Sequence, residues 1–377
     1  MNYPKPCLPA DYLRSRGPSG LESLCADFNI HAKRHPVYPE LVQLRYDQIA
    51  SDLSNKLVQD CRGLILDEAN NWQVVARPFS KFFNYGEPEA ATIDWRFATV
   101  QEKLDGTLII LYHFAGKWQV ATIGTPDASG EVNGAGISFA ELFWRTWLER
   151  CYPLPSSINQ NYTFMFELTG PLNRVIVAHD RANIKLIGVR NKASGVEIDV
   201  RYQSEYEPVQ RFIISNFKDI LGSFDKMDPL EQEGYVVVDA MFNRIKVKHP
   251  GYVALHHLKG GFSTRRVVEV VRKGEAAELL ASFPEWQDAF RVVQASYDAL
   301  IMVLQQDWEN IKHLASPGAA SRKIFAAKAI KTSRYPPAMF SLLDGKAPSV
   351  RDFLQEVHVD KLMELMGVDK INLVGCY

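Results

Sequence analysis

The sequence lacks an excess of charge of either sign. Its 377 residues carry 43 Lys and Arg against 44 Asp and Glu, a formal net charge of -1. This balance excludes a protein that coats a polyanion by bulk charge, so any nucleic acid would have to meet a local basic patch. Hydrophobic residues make up 46% of the chain. That length and composition are typical of two folded domains.

Cysteine is also scarce, and Cys7, Cys25, Cys61, Cys151 and Cys376 never have the spacing of a zinc site or a redox pair. The sequence shows no secretory signal, and no apolar run reaches the length of a membrane span, about 18 residues. We therefore expect a cytoplasmic protein in a reducing compartment, without a membrane partner.

Short apolar runs separated by turn residues predict strands through the first two thirds of the chain. The predicted strands are 63–66, 73–76, 108–112, 119–122, 162–168, 184–189, 234–238 and 244–248. Helices are sparser there, and we predict them at 138–149 and 206–217. This mixture predicts an α+β domain with a largely antiparallel sheet.

Helical periodicity dominates after residue 260. Apolar residues from Trp286 to Ile311 recur in steps of three and four, which predicts one long amphipathic helix. Shorter helices are predicted at 321–331, 337–343 and 349–357, the last with Ser349 as its N-cap. With a hinge at Lys259-Gly260-Gly261, we predict domains at 1–258 and 259–377, the second smaller and all-α.

Neither common glycine-rich phosphate-binding motif occurs, so a nucleotide would have to bind in another way. The candidate is Glu102-Lys103-Leu104-Asp105-Gly106-Thr107, between two predicted strands. A lysine at the end of a strand, followed by a glycine that lets a phosphate approach the backbone, suits a nucleophilic amine. An exposed hairpin turn around Asp105-Gly106 would explain the motif alone equally well.

The residues downstream favour the chemical interpretation. Glu167 lies inside an apolar strand and Glu233 opens another. Lys246 and Lys248 are two apart in a third strand, so both ammonium groups lie on the same face and call for an anion beside them. The alternative is an edge strand whose solvated lysines discourage aggregation.

These motifs, in this order, resemble the phage-type RNA ligase 1 family of covalent nucleotidyltransferases. The resemblance rests on Asp60-Cys61-Arg62-Gly63, Arg77-Pro78-Phe79-Ser80-Lys81-Phe82-Phe83-Asn84, Lys103-Leu104-Asp105-Gly106-Thr107, Phe166-Glu167 with Asn173-Arg174, Glu233-Gly234-Tyr235, and Lys246-Val247-Lys248. It implies an ATP-grasp-like nucleotidyltransferase domain of α+β class with antiparallel sheets, followed by a smaller all-α domain.

The implied activity is that of an ATP-dependent RNA ligase that uses ATP and Mg²⁺ or Mn²⁺. Lys103 would attack the α-phosphorus of ATP to form lysyl-AMP, the AMP would pass to an RNA 5′-phosphate, and a 3′-hydroxyl would displace it. The amine must be neutral to attack, and Lys246, Lys248 and the metal would favour that form.

The resemblance also implies the remaining site residues. Arg62 and Lys81 would contact nucleotide phosphates, Glu167 would bind the ribose or a metal, and Glu233 would bind a metal. Four further residues would complete the nucleotide site: Tyr46, Glu102, Lys246 and Lys248. A core position is an equally good interpretation of Tyr46.

The predicted RNA partner would meet the tail. From residue 311 to 343 there are six Lys and Arg and no acid, which indicates a basic face, although solvated helices are often Lys-rich without binding anything. The predicted RNA-binding residues are Arg322, Lys323, Lys328 and Lys331. We expect a monomer that repairs RNA such as nicked tRNA, with an end-healing kinase or phosphatase as a further partner.

Two other classes of function stay open. One is a DNA ligase or an mRNA capping enzyme, whose lysine domains are usually followed by a strand-rich OB-fold, whereas this tail is predicted to be helical. The other is an RNA-binding protein that keeps the fold without catalysis.

Overall fold

The computed structural model describes residues 4–257, 263–282, 284–314 and 319–368. The chain divides into two compact units, Met1–Tyr252 and Val253–Tyr377, whereas the sequence predicted a boundary after residue 258. The predicted hinge at 259–261 lies outside the described residues.

The first unit begins with a helical layer on a four-stranded antiparallel sheet of order β1-β2-β3-β4. Leu24, Val42, Leu44 and Leu66 are buried between them. Of these elements, the sequence predicted only β3 and β4. The elements are α1 (Leu8–Arg16), α2 (Gly20–Phe28), β1 (Ile30–Arg34), β2 (Leu41–Tyr46), α3 (Lys56–Asp60), β3 (Arg62–Asp67) and β4 (Gln73–Ala76).

Two five-stranded sheets make up the rest of the first unit. The second sheet has the order β11-β10-β9-β7-β8 and the third β12-β6-β13-β14-β5. Their elements are β5 (Phe83–Asn84), β6 (Thr99–Lys103), β7 (Thr107–Phe114), β8 (Lys117–Ala121), α4 (Phe139–Glu149), β9 (Tyr162–Thr169), β10 (Asn183–Asn191), β11 (Glu197–Ile198), β12 (Arg211–Phe212), α5 (Phe217–Ser223), β13 (Gly234–Val238) and β14 (Arg244–Lys248).

The second sheet is covered on both faces. Met165 and Ile110 on one face pack against Ile65 of the first sheet. On the other face Phe164 and Phe166 pack against aromatic residues of α4 such as Phe143. Burial on both faces explains why β7 and β9 are almost continuously apolar in sequence.

The third sheet is antiparallel except where β5 pairs in parallel with β14. One face, which includes Val237, Ile245 and Val247, forms a separate core with Ile220 of α5. The opposite face is therefore free to carry polar residues.

The prediction of a helix at 206–217 is wrong. The segment instead completes the edges of two sheets: Leu186 N–H donates to Glu207 O (2.8 Å), Val209 N–H to Leu186 O (3.1 Å) and Glu102 N–H to Gln210 O (2.9 Å). Pro208 interrupts any helix there because it lacks an N–H donor. Tyr206, the first residue of the predicted helix, is instead buried in the core of the second sheet.

All the regular secondary structure that the structure describes beyond residue 262 is helical. The predicted long helix is confirmed, and Phe290, Val293, Tyr297 and Leu304 are buried along one side of it. Ser349 caps α12 as predicted, accepting the Asp352 N–H. Four helices were not predicted: Pro250–His257, Thr264–Arg272, Ala276–Ser282 and Val359–Met366. The helices are α6 (Pro250–His257), which begins in the first unit, then α7 (Thr264–Arg272), α8 (Ala276–Ser282), α9 (Gln287–Ile311), α10 (Ala319–Thr332), α11 (Pro336–Leu343), α12 (Val350–Glu356) and α13 (Val359–Met366).

The predicted fold class, antiparallel sheets and helices followed by a helical region, is confirmed. None of the helices within the described ranges has the length and apolar character needed to cross a membrane.

Candidate active site

A cavity of about 290 Å³ lies between the second and third sheets. The lysine motif is positioned there because β6 of the third sheet ends at Lys103 and β7 of the second sheet begins at Thr107. The motif is therefore a crossing between two sheets and not the exposed hairpin turn weighed as the alternative. Six predicted site residues line this cavity: Arg62, Glu102, Lys103, Glu167, Lys246 and Lys248.

Strand register aligns the lysines of the third sheet. Gly234 of β13 pairs with Lys103 on one side and with Lys248 on the other. Residues directly opposite each other on adjacent strands share a face. Lys103, Lys246 and Lys248 therefore lie on the polar face of this sheet, away from the core formed by Val247.

Glu233 lies between two of these lysines. Its Oε2 is 2.6 Å from Lys103 Nζ, its Oε1 is 3.0 Å from Lys248 Nζ, and the residue is 3% exposed. A carboxylate in this position stabilises both ammonium groups. We expected neighbouring cations to favour a neutral Lys103, but Glu233 favours the charged form. Lys103 can therefore attack only after its ion pair with Glu233 is broken.

Glu167 lines the cavity and is a second acidic group near Lys103. It lies on β9, opposite Leu108 of β7. Loss of hydration raises its pKa to about 7, and the charge of Glu233 adds to the rise, whereas the charge of Lys103 lowers it. A carboxyl group of this kind is poised to gain or lose a proton near neutral pH.

Asp105 fixes the turn after Lys103. It is buried, and one oxygen accepts the backbone N–H groups of Ile176 (2.8 Å) and Val177 (2.7 Å). The other accepts the Tyr252 hydroxyl at 2.7 Å. A Cβ on Gly106 would lie 2.3 Å from Leu168 O, so the close approach of this turn to β9 requires a glycine there.

Arg62 and Lys246 lie against the same ring. Their cationic groups are 5.8 and 5.3 Å from the centroid of Phe82, distances at which a cation is attracted to an aromatic face. Arg62 Nη1 is buried and has no hydrogen-bond partner within the described chain. A buried donor without a partner is costly, and a ligand phosphate beside it would remove that cost.

Lys81 and Tyr46 lie together but not on this cavity. Lys81 Nζ is 5.6 Å from the Tyr46 ring centroid and 5.4 Å from that of Phe83. Lys81 lines a neighbouring cavity, and Tyr46 lines neither of the two.

The carboxylate of Glu102 is not brought into the lysine cluster. Glu102 pairs with Tyr235, on the opposite face of the third sheet from Lys103, and its Oε2 is 3.2 Å from Lys185 Nζ. The sequence analysis missed Lys185. No sequence signal identifies it, because the contact joins strands of two sheets 83 residues apart.

Arg244 is a second residue that sequence reasoning missed. It precedes Lys246 by two positions on β14, lines the same cavity and forms a two-point ion pair with Glu197, at 2.9 and 2.5 Å. The sequence does indicate Arg244, because Arg244, Lys246 and Lys248 are each two residues apart and so lie on the same face of β14.

The two predicted metal residues, Glu167 and Glu233, differ in their ability to hold a divalent cation. No group of three or more potential ligand side chains occurs among the described residues. Mg²⁺ is commonly held by one or two carboxylates together with substrate phosphates and waters, so such a group is not required. Glu167 fits this role, because a nearby cation would offset the cost of burying its charge. Glu233 fits it only after release from its two lysines.

The predicted RNA-binding residues lie on α10 of the second unit. Lys323, Lys328 and Lys331 are exposed, and Lys328 and Lys331 share a helical face. Arg322 forms a 2.7 Å ion pair with Asp344.

Comparison with known proteins gives concordant matches. The model of a family described as RNA ligase matches residues 60–252. The chain is 26% identical to an RNA ligase of Rhodothermus phage RM378, a match that covers 67% of this chain and 72% of that protein. Two solved structures of an archaeal ATP-dependent RNA ligase, form 1 and form 2, are similar to this chain, each at 14% identity. One covers 90% of this chain and 83% of that chain with a TM-score of 0.47, and the other covers 70% and 68% with a TM-score of 0.45.

Proposed function

From its membership of the phage-type RNA ligase 1 family, to which the chain belongs, we propose that Lys103 carries AMP between ATP and RNA. The predicted class of enzyme, an RNA ligase, is confirmed. The lysyl-AMP mechanism is typical of this family. One observation carries the assignment of residues: Lys103, Glu167 and Lys248 line a single cavity, and Glu233 forms ion pairs with both of these lysines.

In the first step, the Lys103 amine attacks the α-phosphorus of ATP. A nitrogen–phosphorus bond forms, the bond from the α-phosphorus to the bridging oxygen breaks, and pyrophosphate leaves with that electron pair. The ammonium loses one proton before it attacks, and Glu233 Oε2 at 2.6 Å is within reach as the acceptor. Transfer of this proton from Lys103 to Glu233 would both break the ion pair and activate the amine. A second proton leaves Nζ for solvent as the nitrogen–phosphorus bond forms.

Cations around the cavity stabilise the charge that moves onto phosphate oxygens. Lys246 and Lys248 come from β14, and Arg62 approaches from β3 with an unpartnered buried donor. Preorganised positive groups of this kind supply much of the catalysis in phosphoryl transfer.

We further propose that a divalent cation, Mg²⁺ or Mn²⁺, binds at Glu167, and also at Glu233 once that carboxyl group has separated from its lysines and lost the proton it took from Lys103. When bound, the ion supplies positive charge to the triphosphate oxygens. The pKa of Glu167, about 7, supports this site. Above that pH the side chain carries a negative charge, and a bound cation would balance it.

RNA enters in the later steps. A 5′-phosphate oxygen attacks the phosphorus of lysyl-AMP, which releases Lys103 and forms an RNA-adenylate. A 3′-hydroxyl then attacks the 5′-phosphate, a phosphodiester forms and AMP leaves. Because sealing needs a 5′-phosphate, ends that carry a hydroxyl would first need a separate kinase.

We also propose that the second unit docks a structured RNA such as a nicked tRNA. The exposed lysines of α10 support this, because phosphate contacts position a nucleic acid irrespective of its sequence.

Incubation with α-labelled ATP and a divalent metal tests the assignment of Lys103. The wild-type protein should acquire acid-sensitive label, and Lys103→Ala should acquire none. Lys117→Ala, at an exposed hairpin position, is the matched control and should label normally. Full labelling of Lys103→Ala would contradict the assignment.

The acceptor separates the related enzymes. Labelled protein should seal 5′-phosphorylated RNA in preference to nicked DNA, and label from GTP instead of ATP would indicate a capping enzyme. The described part of the second unit supports the RNA ligase, since it contains helices and no strand of an OB-fold.

A further inference from the structure

A partly buried ion pair joins the second and third sheets beside the cavity that contains Lys103. Lys185 of β10, in the second sheet, has its Nζ 3.2 Å from Oε2 of Glu102 on β6, in the third sheet, and the two side chains are 21% and 20% exposed. Charges at this depth are screened less by salt and solvent than those of an open surface pair. The steps proposed for Lys103 do not involve this pair.

Backbone hydrogen bonds hold the two strands of the pair side by side. The segment from Glu207 to Gln210 lies between them and bonds to both. Leu186 N–H of β10 donates to Glu207 O (2.8 Å), and Glu102 N–H of β6 donates to Gln210 O (2.9 Å). Because this segment fixes both strands, the ammonium and the carboxylate stay within reach of each other.

Glu102 depends on Lys185 for its counter-charge. In the part of the chain that the structure describes, no other cation lies at ion-pair distance from its carboxylate. Lys103, the next residue in sequence, is bound to Glu233, and Arg211 on the adjacent strand β12 is bound to a different carboxylate.

The second acidic neighbour of Lys185 has a closer partner. Lys185 Nζ is 3.8 Å from Oε1 of Glu207, whereas Arg150 Nη2 is 2.6 Å from Oε2 of the same residue. The two cations and the two carboxylates of this group balance. If Lys185 lost its charge, Arg150 would still neutralise Glu207, and the negative charge left over would be that of Glu102.

The pair matters for binding because Glu102 lines the cavity that contains Lys103. Lys185 lines neither this cavity nor its neighbour, although its register partner on β9 is Glu167, which does line it. A nucleoside triphosphate brings several negative charges into the cavity. A carboxylate without a counter-charge on a residue of the wall would repel them, and more strongly than in water because the site is partly shielded from solvent.

We propose that Lys185 is a positioning residue that holds the Glu102 carboxylate and cancels its charge, so that Glu102 does not oppose the binding of ATP. This inference rests on the proposed function, in which ATP binds beside Lys103. Lys185 acts through Glu102 and touches neither the nucleotide nor the reacting atoms.

Equilibrium binding of α,β-methylene ATP, which cannot transfer AMP to a lysine, measures this effect in the full-length protein. Lys185→Met should weaken binding by about tenfold, because one uncompensated charge then faces the triphosphate. Lys185→Arg keeps the charge and should bind within about threefold of the wild type. Lys117→Met removes an exposed lysine at the start of β8 and is the matched control, with wild-type affinity expected.

A second substitution separates repulsion from a structural role of the ion pair. When Lys185→Met is combined with Glu102→Gln, the carboxylate and its repulsion are both gone, and affinity should return to within about threefold of the wild type. A structural role predicts no recovery, because the double variant also lacks the pair. Thermal unfolding checks that each variant is folded in the assay, and Lys185→Gln replaces Lys185→Met if the latter melts too low.

Two results would overturn the inference: wild-type affinity in Lys185→Met, or a double variant that binds no better than Lys185→Met. Labelling with α-labelled ATP is read separately. If the wild type takes up label and Lys185→Met binds the analogue normally, this inference alone fails. If the wild type neither takes up label nor binds the analogue, the proposed function fails and the inference fails with it.

Discussion

Glu167 shows how one residue can serve the reaction at the expense of stability. Its side chain is half-buried, and loss of hydration raises its pKa from 4.5 to about 7. Between these values the folded protein holds a proton that the unfolded chain has lost. The free energy of unfolding therefore falls as the pH rises through this window.

Replacement of Glu167 by Gln should stabilise the protein above pH 7. The gain should be about 1–3 kcal/mol, from about 1.4 kcal/mol for each pKa unit reduced for partial exposure. It should vanish below about pH 4.5, where Glu167 is neutral in both states. Chemical denaturation across this pH range measures the difference, and a gain independent of pH would contradict the argument. RNA sealing should fall in the same variant, because the proposed metal site loses its charge.

The Glu233 carboxylate holds two lysines together. Glu233→Gln would leave the ammonium groups of Lys103 and Lys248 side by side without their counter-charge, and should cost about 2–4 kcal/mol in the free energy of unfolding. The exposed pair of Asp94 and Arg96 gives the control: Asp94→Asn should leave stability nearly unchanged. Equal melting temperatures for wild type and Glu233→Gln would show that the pair does not stabilise the fold.

Strand β13 places Lys103 and Lys248 on either side of Gly234. This glycine has φ +145°, and a Cβ would lie 2.3 Å from Val247 O on β14. Most residues cannot adopt that backbone conformation without strain. The pairing of β13 with β6 and β14 at this point therefore requires a glycine.

Gly234→Ala should destabilise the protein by about 2–5 kcal/mol, because it combines backbone strain with a backbone collision. Gly116→Ala isolates the first of these, since Gly116 has φ +75° and no atom near its missing Cβ; it should cost only about 1 kcal/mol. Thermal unfolding of both variants gives the comparison, and equal losses would rule out the collision with β14.

Sequence patterns correctly predicted the elements whose apolar residues recur with a regular period within the element itself. Alternation in β14 correctly placed Lys246 and Lys248 on one strand face, and the apolar stripe of α9 gave its span. The helix predicted at 206–217 failed because hydrogen bonds to Leu186 and Glu102 decide that segment. Those partners are distant in sequence, and local spacing carries no information about them.

The same distinction explains what was predictable in the site. Lys103, Glu167 and Glu233 could be found because each belongs to a short motif. The pairing of Glu102 with Lys185 could not, because it depends on which face of β6 meets the second sheet. Arg77 also belongs to a motif, but its hydrogen bonds to the carbonyls of Lys5 and Pro6 could not be predicted from local sequence.

At the scale of the whole molecule, catalysis and docking should be separable. Removal of residues 259–377 should leave self-adenylylation intact, because the residues proposed for it all lie before residue 252. Sealing of a nicked tRNA should fall by tenfold or more, while sealing of a short linear RNA falls less. Unchanged sealing of both substrates by the truncated protein would contradict an RNA-docking role for the second unit.

Where such a truncation is made matters because of one contact. Tyr252 is the last residue of the first unit, and its buried hydroxyl donates to Asp105, which fixes the turn after Lys103. A fragment that ends at Lys248 would retain every proposed catalytic side chain but would remove one of the three donors of Asp105. The smallest autonomous adenylylating fragment is therefore set by a tyrosine that takes no part in the chemistry, and libraries of shortened variants should show a sharp loss of activity at that position.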